Sequence, residues 1–217
     1  MTAKPTIPNQ TRTFELLAVL FTGLGKFIMV DGLNLKFWFI LLTSLFWVLY
    51  VARRVRQNPR LLHYWGFRKE GFNESLKWIL PFGILSTISF VAYGAWQGVW
   101  IIHWNILPVM VLYPLWGIVQ QFLIIGLIVK NMTDYEGMKF PVWITILTAS
   151  ILFSTVHYPS MLLMIGTFVL AVLYSLVYLR YSNLWVLGLF HGWLGGWFYF
   201  LVLGRDPWLE FIQAIQK

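Results

Sequence analysis

A chain of 217 residues that is 59% hydrophobic and 19% aromatic, with 11% charged side chains, lacks the charged surface that a soluble domain of this size needs. The formal charge of +8 would suit a nucleic-acid face on a soluble fold, but the basic residues fall in loops between apolar runs, which is the mark of membrane topology. The absence of cysteine excludes disulfides, thiolate nucleophiles and cysteine-ligated metal together.

Several apolar runs reach the ~18 residues that mark a spanning helix. The sequence therefore predicts an all-α fold, a polytopic transmembrane helical bundle of about seven spans, with six to eight compatible with the pattern. It is read as one membrane domain: residues 1–104 give the first spans and a basic loop, 105–205 a helical core, and 206–217 a tail. The first span is expected near residues 14–30, with Lys26 at its end, where a long side chain snorkels to the interface. No small-residue cleavage site follows this run, so it is expected to be retained.

A second span is expected over 35–51. The polar stretch 52–73 then carries Arg53, Arg54, Arg56, Arg60, Arg68 and Lys69 against the single acid Glu70. By the positive-inside rule this loop and the N-terminus are cytoplasmic. The apolar residues of the loop, Leu61, Leu62, Tyr64, Trp65 and Phe67, are expected along the headgroup boundary, with the arginines on anionic lipid or a partner. A third span covers about 76–97, and a short link places His103 beside Trp104 as an interfacial pair.

The fourth span, about 106–129, holds Gln120 and Gln121 in the middle of its apolar run. Further spans are expected over 140–157, 160–179 and 183–203, followed by a short amphipathic helix. Two of them carry His157 and His191. A polar side chain in hydrocarbon is costly and points into a bundle interior, so three such points on successive spans suggest one buried polar site. At 1.5 Å per residue, Gln120 and His191 lie ~15 and ~12 Å from the same membrane surface and His157 ~25 Å. Bringing His157 to the others requires a tilt, a shifted boundary or a break.

Other intramembrane chemistries fail on their residues. No histidine is followed by Glu, which excludes the H-E-x-x-H zinc site, and no G-x-S-x-G elbow occurs. Gly23-Leu24-Gly25 is followed by Lys26, not by an aspartate. With no carboxylate or thiolate at the depth of the histidines, no metal and no cofactor are expected.

What remains is a Gln-Gln pair, then Phe153-x-x-x-His157, then His191 in NLWVLGLFHGWLGG, preceded by Arg180-Tyr181-Ser182-Asn183-Leu184-Trp185. In order and spacing this resembles the CAAX protease and bacteriocin-processing family of intramembrane proteases, whose pattern is E-E-x-x-x-R, F-x-x-x-H and H-x-x-x-N or H-x-x-x-D. The resemblance implies that Gln120 and Gln121 stand at the glutamate positions, Ile125 at the arginine and Gly195 at the Asn or Asp. Phe153, His157 and His191 match. In that family the first glutamate, with the histidines, is held to activate water. A carboxylate takes a proton from water at neutral pH and a carboxamide does not, a difference typically worth ~10²- to 10⁴-fold.

The reading that follows is a proteolytically inactive homologue that binds or assembles with another integral membrane protein in the lipid bilayer, with no nucleic-acid partner. The alternatives are an active intramembrane endopeptidase with altered chemistry, and a pigment-, quinone- or lipid-binding subunit. Plain packing competes at each position. The amides act equally well as interhelical glue, and the spacing of Gly188, Gly192 and Gly196 lets another helix approach closely.

Overall fold

A computed structural model describes residues 5–99 and 102–216. Lys4 and Lys217 lie outside the described residues. Ten α-helices follow in order: α1 (Asn9–Gly25), α2 (Lys36–Gln57), α3 (Arg60–Trp65), α4 (Phe72–Gln97), α5 (Ile106–Gln121), α6 (Lys130–Thr133), α7 (Val142–Thr155), α8 (Met161–Tyr181), α9 (Leu184–Leu201) and α10 (Pro207–Ile215). Two π-helical stretches extend this set: Lys26–Gly32 continues α1, and Phe122–Val129 joins α5 to α6 in one rod. Among the described residues, six helices are long and apolar enough to cross a membrane. The fold is an all-α polytopic bundle.

The fifth expected span, 140–157, is shorter than anticipated. Helix α7 has 14 residues, about 21 Å at 1.5 Å per residue, against a hydrocarbon core of about 30 Å. It stops at Thr155, where Val156 to Ser160 turn back through Tyr158-Pro159, since proline supplies no N–H to a continuing helix. The Ser160 hydroxyl then caps α8 by accepting from Leu163 N.

Helices α5 and α9 form the tightest seam. A methyl group added at Gly117 would overlap Gly188 O and Gly192 N, one at Gly188 would lie 2.6 Å from Ile118 Cα, and one at Gly192 would overlap Pro114 and Tyr113 O. Gly196 completes the stripe against Met110 and Val109. In lipid, where apolar burial offers no drive between helices, this backbone approach is the main source of attraction.

The basic stretch 52–73 does not lie along the headgroup boundary as expected. Leu61, Tyr64 and Trp65 are buried, with the Trp65 ring 5.1 Å from that of Phe122. Gly66, at φ +99°, turns the chain where any side chain would strike Ser182 O and the Tyr178 ring. Arg68 then donates to the carbonyls of Tyr181 and Ser182, both at 2.9 Å, and Asn183 caps α9 while donating to Arg68 O and Glu70 O. The segment folds in because its apolar side finds a protein surface. Arg53, Arg56 and Arg60 stay exposed.

Candidate functional site

Helices α1, α2, α4, α5, α7, α8 and α9 surround a central cavity of about 1050 Å³. Gln120, Phe153, His157, His191 and Gly195 all line it. The early end of α7 makes this convergence geometrically feasible: the helix breaks inside the bundle, so His157 hangs at the cavity instead of reaching the far surface.

His191 Nε2 and Gln120 Oε1 are 2.9 Å apart. An amide oxygen only accepts, so Nε2 carries the proton and donates. His157 Nδ1 lies 2.7 Å from Phe153 O, one turn back, and must donate to that carbonyl. The Phe153 ring stands between the two imidazoles, edge to face, at 4.9 Å from His157 and 5.1 Å from His191. Both remaining ring nitrogens, Nε2 of His157 and Nδ1 of His191, are therefore bare acceptors. His191 is 7% exposed, and its Nδ1 has no hydrogen-bond partner among the described residues.

Gln121 behaves differently from its neighbour. It is fully buried, does not line the cavity, and neither of its amide atoms has a partner among the described residues. A hydrogen-bonded core made by both amides is thus realised at Gln120 alone. Ile125, at the position the resemblance gives to arginine, is wholly buried in the apolar core. Gly195 faces open space, and a methyl added there would meet only the Tyr113 ring, at 3.7 Å.

None of the described residues lining the cavity is Asp or Glu. Its one charged lining residue among those described is Lys26, which does not snorkel outward. Lys26 Nζ donates to Asp31 Oδ2 at 2.6 Å and to Tyr158 O at 2.5 Å, tying the end of the first span to the turn after α7. A group of three or more His, Asp or Glu with metal-holding geometry is absent among the described residues.

A second polar cluster, at the end of the bundle bearing Arg54, escaped the sequence reading. Glu15 is fully buried, accepting from Tyr50 Oη at 2.5 Å and Asn131 Nδ2 at 2.6 Å, with Arg54 at 3.7 Å. Arg12 donates to Asn131 Oδ1 and Tyr64 Oη, and Tyr64 in turn donates to Asp134. The expectation that every acid lies in a loop or at a span end misses this burial. Its signal was the Arg-x-x-Glu spacing, which sets Arg12 and Glu15 one turn apart on a single helix face. At the opposite end His103 Nε2 lies 3.0 Å from Asp206 Oδ2.

Residues 102–196 match the family model described as Type II CAAX prenyl endopeptidase Rce1-like. The matched stretch carries all five cavity residues named above. No curated protein and no solved structure matches the chain.

Proposed function

We propose that this chain is a proteolytically inactive homologue of the CAAX prenyl endopeptidases, an accessory subunit that binds another integral membrane protein. The observation that carries the reading is the Gln120–His191 hydrogen bond in a cavity whose described lining has no carboxylate. A carboxamide does not ionise near neutral pH, so Gln120 positions the imidazole but takes no proton from water. A partner is supported by the broad aromatic outer surface, on which Trp38, Trp78, Trp96 and Trp143 are each more than half exposed. The exposed arginines 53, 56 and 60 favour an orientation with residues 52–73 and the N-terminus in the cytoplasm.

The test uses the native chain and Gln120→Glu in nanodiscs with a prenylated CAAX peptide, products being read by mass spectrometry. The expected result is no cleavage by the native chain, together with a stoichiometric membrane protein co-purifying from native membranes. Cleavage by the native chain that His157→Ala or His191→Ala abolishes would overturn the reading. That outcome belongs to a second reading, an active endopeptidase with a histidine base, which the two bare imidazole nitrogens on one cavity favour.

A further inference from the structure

We infer that the cavity holds an un-ionised amphiphile with a hydroxyl-bearing head, of the monoacylglycerol class, its head among His191, His157 and Gln120. The inference starts from hydrogen-bond bookkeeping. Because Gln120 and Phe153 O fix the tautomers, the cavity presents two imidazole acceptors, and the Gln120 Nε2 amide makes no hydrogen bond among the described residues. The buried Nδ1 of His191 is without a partner among the described residues, and a buried acceptor left unpaired costs roughly 1–3 kcal/mol. Its complement is a hydroxyl, which donates to an imidazole and accepts from an amide.

The charges argue for a neutral head. The one charged lining residue among those described, Lys26, is already paired with Asp31, so an anionic head would find its positive charge already neutralised. A peptide is a poorer occupant. Each of its residues brings an N–H and a C=O, far more polar groups than this wall satisfies, whereas an acyl chain brings none. Leu24, Leu85 and Ile165 line the cavity while more than half exposed, so its apolar wall runs out to the face that spans present to lipid. The volume lies at the upper end of the roughly 300–1,000 Å³ usual for small-molecule sites, room for one long chain.

The inference does not depend on a protein partner. Its test places the native chain in phosphatidylcholine nanodiscs with a monoacylglycerol bearing a diazirine in the acyl chain, cross-links being located by peptide mass spectrometry. Labelling should concentrate on cavity residues, be competed by unlabelled monoolein, and fall at least tenfold in His191→Phe and in Gly195→Leu. The second change narrows the cavity without touching an imidazole, and thermal unfolding of each variant shows whether it folds. Should His191→Phe fail to fold, Gly195→Leu and the competitors decide. Labelling spread over the outer surface, labelling undiminished in folded variants, or competition by methyl oleate or oleate as strong as by monoolein would each overturn the inference. Absence of a co-purifying protein bears on the proposed function and leaves this result untouched.

Discussion

Helices α5 and α9 meet backbone to backbone across Gly117, Gly188 and Gly192, whereas the α1–α2 pair reaches the same bundle largely through polar side chains at its two ends. One end is held by Glu15, Arg12 and Arg54 around Asn131 and Tyr64. At the other, Lys26 reaches Tyr158 O and Lys36 reaches Glu210. Between these pins lies the cavity. Lipid supplies no hydrophobic drive for either contact, so close packing and interhelical hydrogen bonds are the two available solutions. The chain uses the first for the wall that carries Gln120 and His191 and the second for the pair that covers it. A packed seam keeps catalytic-type residues in register, while a cover held by a few hydrogen bonds is the part of the cavity wall with least to break.

The sharpest way to break that contrast is Glu15→Ala. It leaves Arg54 without its buried acid and the Asn131 amide without its acceptor, and removing one partner of a buried ion pair typically costs 3–5 kcal/mol. The expected outcome is loss of α1–α2 protection from protease while α5, α8 and α9 stay protected. Simultaneous loss of both regions would show that the cover and the seam are one cooperative unit.

Next in size is Gly192→Leu, which pushes a side chain into Pro114 and Tyr113 backbone atoms that have nowhere to go. Overpacking of this kind costs about 3 kcal/mol when backbone must shift, so the thermal midpoint in detergent should fall sharply. The matched change in the cover, Gly25→Ala, places a methyl 3.5 Å from the Phe39 ring, an ordinary contact, and should leave the midpoint nearly unchanged. Equal effects at the two glycines would remove the distinction.

The same contrast explains what was legible in the sequence. The glycine stripe 188, 192, 196 reads directly, because close helix packing requires small residues at four-residue spacing and has no other cheap solution. The inward polar points Gln120, His157 and His191 read as well, since buried polar groups are rare in apolar runs. What did not read is tertiary pairing. Whether Lys26 snorkels or turns inward depends on Asp31 and Tyr158, which the chain supplies 5 and 132 residues away. Whether Leu61, Tyr64 and Trp65 meet lipid or protein depends on Phe122 being there to receive them. Glu15 sat at the edge of an apolar run, where exposure is the ordinary expectation, and partners from α2 and α6 hold it buried. Pro159 marks the stop after α7 in the sequence itself, but the helix ending at Thr155 and the turn that delivers His157 to the cavity did not read.

The smallest expected effect concerns the pin nearest solvent. Asp206 caps α10 by accepting from Trp208 N and Leu209 N, and Glu210 then ties that helix to the start of α2, accepting from Arg205 at 2.6 Å and Lys36 at 3.0 Å. Burial pushes the Glu210 carboxyl up, but the hydrogen bonds from Arg205 and Lys36 outweigh it, and its pKa lies below the ordinary 4.5. A carboxyl whose folded pKa is depressed stabilises the fold above the unfolded value and loses that contribution as pH falls through the folded one. Protection of residues 207–215 from hydrogen exchange, taken relative to the intrinsic rate at each pH, should therefore be steady at neutral pH and fall as pH drops below 4.5. The change corresponds to about 1 kcal/mol or less, because the pair is partly solvated. Glu210→Gln should abolish this pH dependence while leaving the Glu15 end of the cover protected; protection that instead increased on acidification would mean that burial, not the two cations, governs this carboxyl.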